Sequence, residues 1–147
     1  MTKRYAEGTT VTVASSRGEI TGILAKHGCD RMAWGTAPEG DTLQFTLGGH
    51  LFRFTITNPT PFALRERDGG QYTYPGNVNW QVKAEQEWRR RWRAHVLLIK
   101  AKLEFIEGGD TTLEREFLPY TVLQSGETLG EFIDGGGLPL LTAGASR

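Results

Sequence analysis

A single cysteine, Cys29, stands in 147 residues, so no internal disulfide and no zinc site built on a cysteine cluster can form within this chain. Histidine is almost as scarce. His27, His50 and His95 are far apart, and none has the i,i+4 spacing of a helical metal pair. Long apolar runs are missing: the longest, Val96 to Ile99, falls well short of the roughly 20 residues that cross a bilayer. The first ten residues, MTKRYAEGTT, carry no apolar segment of secretion-signal length. A reducing cytoplasm is therefore the expected compartment, with no membrane contact. Net charge is also absent, with Lys and Arg (17) balancing Asp and Glu (17). Bulk attraction to nucleic acid is thereby excluded, and any such contact must be local.

Catalytic constellations are equally thin. Asp30, Asp41, Asp68 and Asp110 all adjoin turn sequences, where aspartate serves the backbone. The glycines Gly48-Gly49 and Gly135 to Gly137 lack the strand–loop–helix setting and the lysine of a phosphate-binding loop. Cys29 has no general base at a revealing spacing and reads as buried and inert. The expectation is a non-enzymatic protein with no catalytic, cofactor-binding or metal-binding residues.

The remaining composition is that of a globular protein, 38% hydrophobic and 23% charged, of a length that fits one domain over 1–147. Residues 1–9 read as a flexible arm, with a short strand at Thr10 to Val13. Ser16-x-x-Glu19 has capping-box spacing and predicts a helix whose inner face holds Ile20, Ile23, Leu24 and His27, stopping at Gly28. Gly18 and Gly22 weaken that helix by about 1 kcal/mol each against alanine.

Alternation then changes to a period of two. Arg31 to Gly35 predicts a first strand, turning at Pro38 to Asp41. Thr42 to Leu47 and His50 to Thr57 flank Gly48-Gly49 and predict a hairpin pairing Leu47 with His50, Phe45 with Phe52 and Leu43 with Phe54. Gln44, Thr46, Leu51, Arg53 and Thr55 fall on the other face, open to water or a ligand. Asn58 to Asn77, with its prolines and glycines, reads as a long connection.

From near Asn79 to Gly108-Gly109 the pattern predicts one long helix. Trp88, Trp92, Val96, Ile99, Leu103 and Ile106 form its apolar stripe, and Ala94, Leu98, Ala101 and Phe105 a second strip towards its end. Between Trp88 and Lys102 lie six Lys/Arg and no Asp or Glu. Arg89, Arg93 and Lys100 share one face, flanked by Arg90. After Thr111-x-x-Glu114 a short helix is expected, with Leu113, Phe117 and Leu118 inward and Pro119 ending it. A strand at Tyr120 to Leu123, a turn at Gln124 to Gly126 and a helical turn at Thr128 to Ile133 follow, then a Gly-rich tail over 135–147 with an apolar knot at Leu138 to Leu141. From Asp110 onward there are six acids and two bases. The fold class expected is α+β: a small antiparallel sheet of three strands with a central hairpin, packed against one long helix, with short N- and C-terminal helices.

The segments S-R-x-E-I at Ser16 to Ile20, E-W-R-R-R-W-R at Glu87 to Arg93, I-K-A-K-L-E at Ile99 to Glu104 and E-F-L-P at Glu116 to Pro119 carry a resemblance. Together they resemble a group of small uncharacterised bacteriophage and mobile-element proteins, over about Thr10 to Ile133. The resemblance implies a bacterial host cytoplasm and no particular activity. The β-β-β-α order is also that of phage single-strand annealing proteins, an analogy at the level of fold alone.

Two functional readings follow. In the first, a basic helix contacts nucleic acid, single-stranded DNA or RNA, through Arg89, Arg90, Arg93 and Lys100. Arg53 and Trp34 would join as a stacking platform on the open sheet face. In the second, the chain is a protein–protein interaction module, a homo-oligomer or an inhibitor of a host protein. The opposed basic helix and acidic C-terminal segment motivate it. Trp88 and Trp92 are expected in the core in either case.

Overall fold

The computed structural model describes residues 3–69 and 78–144. Helix α1 (Val13–Lys26) leads into strands β1 (Arg31–Ala37), β2 (Gly40–Leu47) and β3 (His50–Thr57). Helices α2 (Pro61–Asp68), α3 (Trp80–Glu107), α4 (Leu113–Glu116) and α5 (Leu129–Asp134) follow, with a 3-10 turn at Leu118–Tyr120 after α4. The architecture is α+β: an antiparallel sheet in the order β1-β2-β3, with α1 and the long α3 packed on one face.

The hairpin has the expected register, with Leu47 opposite His50, Phe45 opposite Phe52 and Leu43 opposite Phe54. Gly48 and Gly49 both take positive φ, as a two-residue turn that follows the sheet's twist requires. Strand β1 runs two residues past Gly35, because Gly35, Thr36 and Ala37 pair with Thr42, Asp41 and Gly40.

One face of this sheet and α3 make the core. Leu43, Phe45, Phe52, Phe54 and Ile56 meet Trp92, Val96, Ile99 and Leu103, and α1 adds Ile20 and Leu24. Phe117 closes the end, its ring 6.0 Å from Phe45 and 5.3 Å from Phe52. Full burial of each such side chain is worth about 1.5–3 kcal/mol.

Several local expectations are corrected. Thr10 to Val13 is no strand. Thr12 is the N-cap of α1, its hydroxyl accepting from the Ser15 N–H, so the helix opens at Val13 and Ser16 lies buried inside it rather than at its cap. The connection 58–77 contains α2, opened by the Thr60 hydroxyl accepting from the Ala63 N–H with Pro61 in the first turn; its part over 70–77 lies outside the described residues.

The cap of α4 is Thr112, accepting from the Arg115 N–H, one residue later than Thr111. Leu118 faces solvent rather than the core. Tyr120 to Leu123 makes only isolated bridges, Phe52 to Thr121 and Val122 to Thr128. In the tail Leu138, Leu140 and Leu141 are exposed, and residues 145–147 lie outside the described set. The arm docks on α3: the Thr9 carbonyl accepts from Gln86 Nε2 (2.9 Å) and Arg89 Nε (3.4 Å).

Candidate interaction surfaces of the long helix

Asn79 starts α3 by accepting the Val82 N–H on its side chain, and Gly108-Gly109 ends it, Gly109 with positive φ. Between these stops the basic run is almost fully engaged inside the molecule.

Glu87 is the centre of the first network. Arg90 grips it with two bonds of 2.9 Å each, and Arg91 Nε and Arg67 Nη1 each reach it at 3.4 Å. Arg4 adds a fourth guanidinium at 3.9 Å. The Glu87 side chain is only 6% exposed. Burial pushes its carboxyl up, but the hydrogen bond from Arg90 and the charges of Arg90, Arg4 and Arg67 outweigh that and hold it at about 2. Arg67 also clamps Asp68 through bonds of 2.8 and 2.9 Å, which lowers the Asp68 carboxyl further below its ordinary range.

A second network joins α3 to α1. Arg93 Nη1 donates to Glu19 (2.7 Å) and to the buried Ser16 hydroxyl (3.4 Å). Next to Ser16, Arg17 pairs with the buried Asp41, and its guanidinium lies 5.4 Å from the Trp34 ring and 5.0 Å from the Trp92 ring. Trp34 and Trp92 themselves are 5.2 Å apart. A cation between two aromatic faces, tied to a buried carboxylate, fixes α1 against the β1–β2 hairpin.

These contacts place each expected nucleic-acid residue. Arg89 is bound to Gln86 and Thr9, Arg90 to Glu87, and Arg93 to Glu19 and Ser16. Lys102 donates to the Glu116 carbonyl (2.9 Å). Lys100 is exposed and has no hydrogen bond or ion pair among the described residues.

Arg53 donates to the Gly126 carbonyl (2.6 Å) and lies 3.5 Å from Glu131, so α5 holds it. Trp34 does not stand beside Arg53. It pairs in register with Leu43 on the core face, whereas Arg53 pairs with Gln44 on the opposite face. No Trp34–Arg53 stacking platform forms.

The apolar half of α3 is two-sided. Its inner stripe is buried at Trp92, Val96, Ile99 and Leu103. On the outer side Leu97 is 44% and Phe105 55% exposed, with exposed Ala101 between them. The second apolar strip is therefore largely in solvent at Ala101 and Phe105.

The histidines serve local ends. His27 bonds the Ile23 carbonyl (2.8 Å) and stands 3.3 Å from Glu107; His50 lies 3.4 Å from Glu114. His95 bonds the Arg91 carbonyl (2.8 Å), and burial, aided by the charges of Arg90 and Arg91, lowers its pKa. Cys29 is half-buried rather than buried, its thiol donating to the Arg31 carbonyl at 3.2 Å. Among the described residues no group of three or more His, Cys, Asp or Glu is placed to hold a metal ion, and no helix is long and apolar enough to cross a membrane.

Sequence reasoning missed Arg17, Arg4 and Arg67. The only visible signal was the spacing of Glu87 to Arg90 and Arg91, three and four residues on one helical face. Comparison with models of protein families, with curated proteins and with solved structures finds no match for this chain.

Proposed function

We propose that this chain is a non-enzymatic interaction module that binds protein through the outer face of α3, in the bacteriophage or mobile-element setting its sequence resembles. One observation carries the reading. Arg90, Arg91, Arg93 and Lys102 of α3 are turned inward onto Glu87, Glu19 and Glu116, while Leu97, Ala101 and Phe105 are turned out beside the exposed Lys100 and Glu104. A helix whose outer face served only solubility would do the reverse. Exposed Leu and Phe side chains on a helix anchored along its length form a rigid apolar strip of the kind that enters a partner's groove.

The test is affinity capture from host cells carrying the cognate element, comparing wild type with Leu97→Glu/Phe105→Glu. Both positions are exposed, so the variant should keep its fold by circular dichroism. A specific protein recovered by wild type and depleted at least tenfold by the variant is the expected outcome. Equal recovery by both proteins would overturn the reading.

A second reading, contact with single-stranded DNA or RNA, is favoured by one feature. Four guanidiniums gather at Glu87, of which Arg4 and Arg67 are the most open. Oligonucleotide binding that weakens steeply with salt and is lost in Arg4→Glu/Arg67→Glu would select it.

A further inference from the structure

We propose that the cleft between the N-terminal arm, α2 and the start of α3 binds a phosphomonoester, the group that a phosphorylated side chain of a partner protein carries, through Arg4 and Arg67. The site is separate from the apolar face of α3. It gives the arginine cluster at Glu87 a ligand other than a nucleic-acid strand.

Charge is the first ground. Five guanidiniums gather here, those of Arg4, Arg67, Arg89, Arg90 and Arg91, and they reach only three carboxylates, Glu7, Asp68 and Glu87. Arg89 makes no ion pair among the described residues, its bonds going to the neutral Gln86 amide and the Thr9 carbonyl. Glu66 and Glu85, the other acids of α2 and of the first half of α3, are exposed and pair with none of the described residues. Positive charge is therefore in excess, and Lys83 lines the same cleft. After Arg67 itself, the charges of Arg4 and Lys83 lower the Asp68 carboxyl, so both stand close to the end of α2. A phosphomonoester carries about −1.5 to −2 at neutral pH, which matches the excess.

Open donors are the second ground. Arg90 alone satisfies both oxygens of Glu87, with bonds of 2.9 Å each. Arg4 stands back, 3.9 Å from Glu87 and 3.8 Å from Glu7, and its guanidinium makes no hydrogen bond among the described residues. Its side chain is 43% exposed, and a guanidinium in that state offers its whole fork of N–H groups to an oxyanion. Arg67 uses Nε and Nη2 on Asp68 and Nη1 on Glu87, which leaves a second hydrogen on each Nη. Glu7 and Asp68 also line the cleft, where they act as anchors. Glu7 accepts the Arg4 backbone N–H at 2.9 Å and curls the arm, and Asp68 fixes the plane of Arg67. The turn that presents Arg4 holds Ala6 at φ 58, a conformation strained for alanine.

Shape is the third ground. The cleft encloses about 100 Å³, well below the roughly 300–1,000 Å³ of pockets that take whole small molecules, so one compact group fits it. None of its described lining residues is aromatic, so a base has no ring to stack on. A strand of many phosphates would also need a basic track. Arg93, the next arginine along α3, is turned onto Glu19 instead.

The experiment uses the full chain at neutral pH and fixed ionic strength. Phenyl phosphate, followed by amide and arginine Nε–H NMR signals, should bind saturably with a dissociation constant of about 1 mM or below. A short peptide with one phosphoserine should bind at least as tightly, and its unphosphorylated form should not bind. Arg4→Gln should raise both constants at least tenfold. Its side chain makes no hydrogen bond, so the fold is kept, as circular dichroism will check. Arg67→Gln should act likewise. Lys26→Gln, which removes an exposed charge on α1, should change neither constant.

Absence of saturable binding by phenyl phosphate and by the phosphopeptide overturns the site. Equal losses in Lys26→Gln and Arg4→Gln overturn it too, because bulk charge would then explain the binding. Inorganic phosphate binding more tightly than the peptide overturns the assignment to a protein side chain. An oligothymidylate without a terminal phosphate that outcompetes the peptide, and depends on Arg4, overturns the monoester in favour of nucleic acid. The capture experiment with Leu97→Glu/Phe105→Glu reports on the other face, so either reading can fail alone.

Discussion

The two halves of α3 hold the molecule together by different physics, although the helix is continuous from Trp80 to Glu107. In the first half Glu87 collects four guanidiniums and ties α3 to the arm and to α2. In the second half Val96, Ile99 and Leu103 fill the space above the sheet with no charged partner. The apolar half gains free energy from area removed from water and tolerates a change of conditions. The charged half depends on one buried carboxylate staying ionised, which its surrounding guanidiniums secure against the cost of burial. The lesson is that a run of arginines is not a measure of available positive charge. Glu87 alone binds two of the helix's cations, and Glu19 and Glu116 take two more.

The sharpest break should come from the apolar half. Ile99→Ala, at a fully buried position, is expected to lose about 3–4 kcal/mol in urea unfolding. Glu87→Gln should follow closely at about 3 kcal/mol, because four guanidiniums lose their common counter-charge.

Acid separates the two halves. Glu87 has a folded pKa of about 2 against an ordinary 4.5, so its contribution is fully present above pH 4.5 and disappears as pH falls through 2. The loss over that window is on the order of 3 kcal/mol, and Glu87→Gln should flatten that part of the stability–pH curve. An equal slope in the variant would mean that another carboxylate controls acid unfolding.

Smaller effects sharpen the picture. Gly18→Ala should stabilise the fold by about 0.5–1 kcal/mol, because a Cβ there meets nothing within 4 Å. Leu97→Ala, on the outer face, should stay within about 0.5 kcal/mol of wild type, which thermal unfolding can check.

What the sequence made legible is what depends on near neighbours along the chain. The β2–β3 register followed from alternation around Gly48-Gly49, and the limits of α3 from Asn79 and Gly108. The start of α1 was hidden because the β-branched Thr10 to Val13 alternate like a strand, and only the geometry of the Thr12 hydroxyl decides for a cap. Helix α2 carried its signal in Thr60-Pro61, a cap followed by a first-turn proline, masked by the surrounding turn-forming residues.

The networks on α3 were less accessible. That Arg93 meets Glu19, or Arg17 sits between Trp34 and Trp92, depends on how α1 crosses the sheet, which no local pattern encodes. Composition counted the arginines correctly and could not see which were already bound.

The packing of α1 on α3 also sets an order of events during synthesis. The strands pair with their immediate neighbours in the chain, so the three-stranded ladder itself is complete soon after Thr57 is made. Ile20 and Leu24 of α1 must wait for Trp92 and Ile99, and Glu19 meets Arg93 across 74 residues. At about 5–20 residues per second the interval is roughly 4–15 s. Throughout it the nascent chain carries an apolar helix face with no helix to cover it, on a segment that two glycines keep from folding firmly by itself. The half-made protein is thus most exposed to chaperones and proteases at its N-terminal end, and that exposure ends only when the last turns of α3 leave the ribosome.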